Sequence, residues 1–258
     1  MNPGNHTVMQ VDINCDMGEG MDYDAGIMPL ISSANIACGF HAGDENTMRQ
    51  TIRLALTNNV AIGAHISFPD KQNFGRTEMH LALNDIHEMM IQQLAIIHKI
   101  ASALGAELHH VKPHGALYNM SARYAELART IATTVKKFNP KLILYGLSGS
   151  HSISEAKAIG LQTASETFAD RHYNDDGSLT SRTQPNAMIA DEEKMTQQVF
   201  QMIRAGTVTT VTEKKIPVLA ETICIHGDGQ HALTFARAIS SVLKKENIRV
   251  APPASVTQ

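Results

Sequence analysis

Short apolar segments that end in a cluster of polar residues recur along this chain. In ANIACGFHAGDE (34–45), a run of small apolar residues stops at Gly39, and His41, Asp44 and Glu45 follow within a few positions. Apolar runs of this length suit buried β-strands. The same arrangement recurs at 11–20, 60–70, 107–119, 161–171 and 221–231. The pattern therefore predicts a set of strands whose carboxyl ends carry polar side chains.

Helical patterns lie between these strands. Helices are predicted over 45–58, 84–104, 122–138, 152–158, 191–205 and 231–246, with further strands at 142–146 and, as a possible closing strand, 248–253. In 84–104, a stripe that includes Met89 and Met90 recurs at helical spacing and is assigned to the core. Strands that alternate with helices form βα units and a parallel sheet.

About seven βα units with polar strand ends favour a (β/α) barrel, because that fold builds its site from the carboxyl ends of many strands. An open doubly wound sheet is the alternative, and it would collect its polar groups at one switch point. A chain of 258 residues is normal for one such barrel, so we predict a single domain over 1–258. The loops 68–79 and 168–189 are long enough to suggest function, and 207–215 is predicted to be a surface excursion.

Composition and charge limit the class of protein. The formal net charge is −3 and the chain has no block of Lys or Arg, so neither a nucleic acid nor a membrane is indicated as a partner. No apolar run approaches the roughly 20 residues that span a bilayer, and the first ten residues lack the features of a secretory signal. The three cysteines, Cys15, Cys38 and Cys224, are expected to be buried, reduced thiols. The expected location is the cytoplasm.

Two acids follow the first predicted strand. Asp16 and Glu19 lie three positions apart around a glycine, and they could supply a general base or a metal ligand. The alternative is that Asp16 caps a turn or a helix.

Four histidines, His41, His65, His114 and His226, lie at four predicted strand ends. A single histidine beside a strand is usually a hydrogen-bonded core residue, but four are harder to explain in that way. Neutral imidazoles that converge with Asp16 would suit zinc or manganese, and they would equally suit proton transfer near neutral pH. No HExxH spacing supports a metal, so both interpretations stay open.

Several cations could bind anions. Lys112 precedes Pro113 and His114, and the long loop contains Asp170, Arg171 and Arg182. A lysine neutralises a carboxylate or a phosphate, and arginines clamp one with planar guanidinium groups. The alternatives are an exposed lysine and ion pairs within the loop. The glycines of HGDG (226–229) could aim backbone N–H groups at an anion, but the sequence has no Walker GxxxxGK[ST] motif.

Taken together, six blocks of this sequence resemble the LamB/YcsF family. They are NCDMGEG, SANIACGFHAGD, AIGAHISFPD with NFGR, VKPHGALYN, ETFADRHYNDDGSLTSR and CIHGD. The blocks follow the family's order from about residue 9 to 250, and the chain departs from the family pattern at Ile66, Thr77 and Thr180–Ser181. The resemblance implies an irregular TIM-like barrel related to glycoside hydrolase and polysaccharide deacetylase barrels.

The resemblance also implies an activity. Family members are the A subunit of a bacterial enzyme that opens 5-oxo-L-proline to L-glutamate with hydrolysis of ATP to ADP and phosphate, together with partner subunits B and C. Under this hypothesis the catalytic residues are Asp16, His41, His65 and His114. The substrate- and anion-binding residues are Glu19, Lys112, Asp170, Arg171, Arg182 and His226.

The cofactors and rival functions follow from the same residues. ATP is expected as a co-substrate, bound on this chain, on a partner or between them. A divalent metal ion is possible, with Asp16, His41, His65 and His114 as its candidate ligands. One rival is a stand-alone, metal-dependent deacetylase or amidohydrolase, and another is a non-catalytic ligand-binding subunit. The sequence also leaves open whether the chain forms a homo-oligomer.

Overall fold

The computed structural model describes residues 9–227 and 231–254. Within them the strands are β1 (Gln10–Met17), β2 (Ser33–Ala37), β3 (Ala61–Ile66), β4 (His110–Pro113), β5 (Ile143–Leu147), β6 (Thr163–Phe168), β7 (Thr207–Thr209), β8 (Lys215–Pro217), β9 (Thr222–Ile225) and β10 (Arg249–Val250). The helices are α1 (Asp24–Ile27), α2 (Glu45–Thr57), α3 (Leu83–Ala103), α4 (Gly115–Arg123), α5 (Ala125–Phe138), α6 (His151–Ala158), α7 (Glu192–Phe200) and α8 (Ala232–Lys245). Short 3-10 segments at Met28–Leu30 and Lys71–Asn73 and a π-helical turn at Gln201–Ala205 also occur.

Seven parallel strands close into a barrel in the order β1, β2, β3, β4, β5, β6 and β9. Pairing between β9 and β1 closes the ring, with Asp12 opposite Thr222. The short strand β10 lies beside the start of β1, where Gln10 is opposite Arg249. The predicted barrel of about seven parallel strands is therefore confirmed. The prediction that 248–253 is a closing strand is wrong, because the pairing of β9 with β1 closes the ring.

Polar residues alternate along β1 and line the inside of the barrel. Successive side chains of a strand point to opposite faces, so Asp12, Asn14 and Asp16 share the inner face. Asp12 accepts hydrogen bonds from the hydroxyl groups of Ser32, Ser33, Tyr145 and Thr222. Burial raises the pKa of Asp12 and the four donors oppose that rise. The lower half of the barrel is thus a satisfied polar network, as buried polar groups require.

The outer layer of helices packs on the barrel through apolar stripes. In α3 the buried residues include Met89 and Met90, which confirms their assignment to the core. Burying an aliphatic side chain of this size contributes about 1.5–3 kcal/mol. Cys15, Cys38 and Cys224 are buried free thiols, also as expected. No helix in 9–227 and 231–254 is long and apolar enough to cross a membrane.

The predicted helix at 122–138 corresponds to α5, and a further helix, α4, precedes it. Strand β4 ends at Pro113, among the residues predicted to end that strand, and α4 begins at Gly115. Tyr124 has extended backbone angles (φ −114°, ψ 107°) between α4 and α5. The helical spacing of the apolar residues continues through this break, so the pattern could not show it.

The long loop 168–189 is held in place by hydrogen bonds from buried side chains. The amide of Gln198, in α7, donates to the carbonyl oxygens of Phe168, Ala169 and Arg171. The Tyr173 hydroxyl accepts a hydrogen bond from the Phe168 N–H at 2.8 Å. These contacts order the base of the loop beside the carboxyl end of β6.

The segment 207–215 forms most of an antiparallel hairpin, β7–β8, and not a plain surface excursion. The hydroxyl groups of Thr210 and Thr212 donate to Asp175 in the long loop, and Lys214 pairs with the same carboxylate. These hydrogen bonds and Lys214 lower the pKa of Asp175 to about 2. The hairpin therefore supports the long loop from outside.

Candidate functional site

A cavity of about 540 Å³ opens at the carboxyl ends of the barrel strands. Its wall combines strand ends with parts of α4 and the long loop. Eight of the ten predicted site residues line it, namely Asp16, Glu19, His65, Lys112, His114, Arg171, Arg182 and His226. His41 and Asp170 stand behind this wall and contact residues that line it.

Lys112 is the central cation of the cavity floor. Its Nζ lies 2.9 Å from Asp16 Oδ1 and 2.9 Å from Glu166 Oε1, and it also contacts Asn14 Oδ1 at 3.2 Å and Cys224 Sγ at 3.1 Å. Burial alone would lower the pKa of Lys112, but the two carboxylates outweigh burial and hold it well above its usual value. The alternative of an exposed lysine is wrong, because the residue is 2% exposed.

The two oxygens of Asp16 have different partners. Its Oδ1 accepts hydrogen bonds from Asn35 Nδ2 at 2.8 Å and from Lys112 Nζ. Its Oδ2 lies 3.3 Å from His65 Nε2. Burial would raise the pKa of Asp16, but His65 and Lys112 hold it well below the usual value. Asp16 therefore forms part of the cavity floor. Its side-chain contacts are with Asn35, Lys112 and His65, so the helix-capping alternative is wrong.

Three histidines and Glu19 form a second, buried cluster beside Asp16. His41 Nε2 lies 3.0 Å from Glu19 Oε1, and His114 Nδ1 lies 2.8 Å from His65 Nε2. The rings of His41 and His114 stack with centroids 3.9 Å apart. One donor atom from each of the four residues lies within 4.8 Å of the others, so this set could hold a metal ion. The structure thus groups Glu19 with the three histidines. The sequence had offered Glu19 as a base or metal ligand and, through the family resemblance, as an anion-binding residue.

Burial makes two of these imidazoles, His41 and His114, weak bases. It lowers the pKa of His41 to about 3, with a further contribution from His65. Burial, His65 and His41 also hold the pKa of His114 well below its usual value. Both rings are therefore neutral at physiological pH, which is the form that binds metal ions.

Glycines allow the four donors to approach one another. Gly18 and Gly20 have φ of +71° and +89° and flank Glu19, a conformation that favours glycine. At Gly75 (φ +68°), a Cβ atom would lie 2.9 Å from the Cβ of His41 and 3.0 Å from Cδ2 of His114. The loop 68–79 therefore packs directly against the histidine cluster.

The remaining predicted residues lie on the β6 and β9 side of the cavity. His226 Nδ1 bonds Asp170 Oδ1 at 2.8 Å. Arg171 donates to the carbonyl oxygens of Thr180 and Ala187, so much of its guanidinium organises the loop. Burial lowers its pKa to about 10. Arg182 is exposed at the cavity rim. In the HGDG motif, Asp228 and Gly229 lie outside the described residues.

Sequence reasoning did not select several residues of the cavity floor. Glu166 and Asn14 are fully buried and share the contact with Lys112. A signal for Asn14 was present, because it lies on the same face of β1 as Asp16 with a spacing of two. Tyr118 lines the cavity from α4, a helix that the sequence pattern did not predict at that position.

The fold and the cavity define a seven-stranded parallel (β/α) barrel with a buried, charged site at the carboxyl ends of its strands. The model of the LamB/YcsF family matches residues 11–258. A relative from Tolumonas auensis, named as the A subunit of 5-oxoprolinase, is 49% identical over 246 residues, covering 93% of this chain and 98% of that protein. A relative of the same name from Staphylococcus aureus strain Newman is 47% identical over 247 residues, covering 94% and 99%.

Solved structures show the same architecture. The lactam utilization protein from Thermus thermophilus superposes with a TM-score of 0.89 at 38% identity, covering 95% of this chain and 100% of that chain. The catalytic domain of a peptidoglycan N-acetylglucosamine deacetylase from Eubacterium rectale has a TM-score of 0.54 at 11% identity, covering 100% and 93%, which shows a shared fold alone. The chain belongs to the LamB/YcsF family.

Proposed function

We propose that this chain is the A subunit of an ATP-dependent 5-oxoprolinase, which opens the lactam of 5-oxo-L-proline to L-glutamate with hydrolysis of ATP to ADP and phosphate. The names of relatives that match almost their whole length support this proposal. The observation that carries it is the floor of the cavity, where a buried ammonium group lies between two carboxylates. Such a preorganised cation keeps the Asp16 carboxylate ionised and fixed in orientation at the cavity.

The chemistry explains why ATP is needed. A five-membered lactam is a stable amide with a poor leaving group. Transfer of the γ-phosphoryl group of ATP to the amide oxygen gives an imidate phosphate and ADP. Water then adds to the ring carbon, the C–N bond breaks with protonation of nitrogen, and the resulting acyl phosphate is hydrolysed to glutamate and phosphate. The site must therefore bind a carboxylate, activate water and stabilise negative charge on oxygen.

We assign these tasks by position. Asp16 is the base for water, because it lines the cavity and its Oδ2 is not the oxygen that Lys112 binds. His41, the other candidate base, is 1% exposed and lies behind the wall. Lys112 stabilises the developing charge on the lactam oxygen or its phosphoryl group.

The anion of the substrate has its own partners. Arg171 and Arg182 are the proposed clamp for the substrate carboxylate. His226, held by Asp170, is the proposed neighbouring hydrogen-bond donor. These groups lie on the β6 and β9 side of the cavity, which leaves the Asp16 side for water and the phosphoryl group.

We propose that ATP enters through the mouth of the cavity and that the partner subunits bind around it. Arg76, Arg123 and Arg182 are exposed residues that line it, and guanidinium groups suit phosphates. We propose that subunits B and C complete the enzyme on this face and that ATP binds there or on a partner.

A second candidate is a metal-dependent amide hydrolase that acts without ATP. The four buried donor atoms of Glu19, His41, His65 and His114 favour it. It predicts hydrolysis of N-acetyl sugars by the isolated chain.

The deciding experiment measures glutamate release from 5-oxo-L-proline by this chain mixed with its B and C subunits, with and without ATP. We expect ATP-dependent glutamate that disappears when this chain is omitted or carries Asp16→Asn, and that persists in the exposed-residue control His151→Ala. Glutamate formation by B and C alone would contradict the proposal. Hydrolysis of N-acetyl sugars without ATP would favour the second candidate.

A further inference from the structure

The outward nitrogen of each clustered histidine faces a fixed hydrogen-bond acceptor. His65 Nδ1 lies 3.0 Å from the Lys112 carbonyl oxygen, and His114 Nε2 lies 2.9 Å from the Phe74 carbonyl oxygen. A carbonyl oxygen can only accept, so both outward nitrogens must carry hydrogen. In a neutral imidazole the other nitrogen is then a bare lone pair. When the two rings are neutral, the inward nitrogens of His65 and His114 are therefore the unprotonated ones.

His41 reaches the same state through a serine. Its Nδ1 lies 2.9 Å from Ser67 Oγ. The Ser67 hydroxyl donates its hydrogen to the Phe68 carbonyl oxygen at 3.0 Å, so Ser67 Oγ accepts the hydrogen of His41 Nδ1. The inward Nε2 of His41 is consequently a lone pair as well.

These lone pairs point at one another and at a carboxylate. His65 Nε2 and His114 Nδ1 are 2.8 Å apart, and His41 Nε2 is 3.0 Å from Glu19 Oε1. Glu19 Oε1 also lies 3.4 Å from His114 Nδ1 and 3.8 Å from His65 Nε2. Four acceptors at such distances repel unless a cation lies among them. Two protons would be needed to relieve the two shortest contacts, whereas one metal ion at the centre relieves them all.

The spacing and chemistry of the donors suit a tetrahedral ion. With metal–ligand bonds of about 2.0–2.1 Å, neighbouring ligands of a tetrahedral zinc ion lie about 3.3–3.4 Å apart. Four of the six distances among these donor atoms are 2.8, 3.0, 3.4 and 3.8 Å, and all six are within 4.8 Å. All four residues are buried, with exposures between 0% and 8%. Three imidazoles and one carboxylate select zinc, cobalt or nickel over magnesium and calcium, which prefer oxygen.

We propose that this chain binds one first-row transition-metal ion, with zinc as the expected ion, through Glu19 Oε1, His41 Nε2, His65 Nε2 and His114 Nδ1. The outward hydrogen bonds to Lys112, Phe74 and Ser67 orient the rings, as the second partner of a metal-bound histidine commonly does. Asp16 is outside this set of four mutually close donors: Lys112 and Asn35 bind its Oδ1, and its Oδ2 approaches His65 Nε2 at 3.3 Å. The ion site is independent of the lactam activity and would exist with or without it.

The test is metal binding by the full chain, measured without any activity assay. The chain is dialysed against a chelator and titrated with Co²⁺ and, separately, with Zn²⁺ in a calorimeter. We expect one ion per chain, with the intense visible absorption of four-coordinate Co²⁺. Glu19→Gln and His65→Ala should each weaken Zn²⁺ binding at least ~100-fold, and Ser67→Ala, which removes only the acceptor for His41, about 10-fold.

Two controls keep the outcome clear. His151→Ala removes an exposed histidine and should leave the affinity unchanged, and Asp16→Asn should keep the stoichiometry of one ion. Circular dichroism melts check that each variant folds, and the wild-type titration does not depend on any variant. Absence of stoichiometric Co²⁺ and Zn²⁺ uptake by the wild-type chain overturns the proposal. So does binding that survives both Glu19→Gln and His65→Ala in folded proteins.

Discussion

Lys112 Nζ lies 2.9 Å from Asp16 Oδ1 across the interior of the barrel. The two residues belong to β4 and β1, which are not neighbours in the sheet. Glu166, in β6, contacts the same ammonium group at 2.9 Å. Three strands are therefore tied together by one buried cation beneath the cavity. Removing one member of a buried ion pair is costly because the partner charge is left uncompensated.

Replacing Lys112 should destabilise the fold as well as abolish activity. We expect Lys112→Met to lower the free energy of unfolding by about 3–5 kcal/mol, measured by guanidinium chloride denaturation. The double variant Lys112→Met/Glu166→Gln should lose less than the two single variants together, because one stranded charge is gone. Lys137→Met, at an exposed position of α5, is the control and should change stability by less than about 0.5 kcal/mol. Equal effects at the two lysines would contradict the ion-pair interpretation.

Gly75 should be far less tolerant of alanine than another glycine with the same backbone conformation. Gly75 and Gly105 have φ of +68° and +73°, but a Cβ at Gly75 would press on His41 and His114, whereas Gly105 has nothing within 4 Å. Both substitutions incur the backbone strain of about 1–3 kcal/mol. Gly75→Ala should lose about 1–3 kcal/mol more through overpacking. Urea denaturation of the two variants measures the difference in their free energies of unfolding. Equal losses of stability would show that the histidine cluster shifts to accommodate the added methyl group.

The hydroxyl group of Tyr118 is a candidate substrate contact. It is buried and makes no hydrogen bond of normal length and angle within the described part of the chain, although Glu166 lies close by and Tyr118 lines the cavity. Burial and Glu166 raise its pKa well above the usual value. We expect Tyr118→Phe to leave stability unchanged and to raise KM for 5-oxo-L-proline by about 5-fold, the effect of one hydrogen bond of about 1 kcal/mol.

Tyr145→Phe is the matched control for that substitution. The Tyr145 hydroxyl is bonded to Asp12 and lies 3.1 Å from Ser33 Oγ. Its loss should lower the free energy of unfolding by about 1–3 kcal/mol and leave KM unchanged. Steady-state kinetics and urea denaturation on both variants separate the two roles. An unchanged KM in Tyr118→Phe would exclude Tyr118 from substrate binding.

The Asp170–His226 pair should contribute to stability in a pH-dependent way. Burial alone would raise the pKa of Asp170, but His226, Arg171 and Arg182 together hold it below the usual value. A carboxyl group with a lowered folded pKa stabilises the protein above its unfolded pKa of about 3.9, and that stability is lost as the pH falls through the folded pKa.

The Asp170→Asn variant should therefore be less stable than the wild type near about pH 7. The difference in their free energies of unfolding should become smaller below about pH 4. Urea denaturation at several pH values measures this gap. Asp22→Asn, at an exposed position, serves as the control. A gap that stays constant as the pH falls would show that Asp170 acts only through packing.

Much of the fold could be predicted because it depends on local pattern. Apolar strands that alternate with helices indicate parallel βα units, and the polar residues at their ends indicated the face that carries the site. Asp12, Asn14 and Asp16 are spaced two residues apart, which already places their side chains on one face of β1. The break at Tyr124 was missed because helical periodicity continues through it. The role of 248–253 was misassigned because ring closure is a pairing between β9 and β1, which are far apart in the chain.

The sequence by itself determined the chemical inventory of the site and the side of the barrel on which it lies. Only the tertiary structure decided the groupings within it. Closure of the ring brings Lys112 to Asp16 and Glu166 from strands that are far apart in the chain. Likewise, the carbonyl groups of Phe74 and Lys112 set the hydrogen positions on His114 and His65. These partners are supplied by segments tens of residues away, and no local pattern records a distance between segments that meet only after folding.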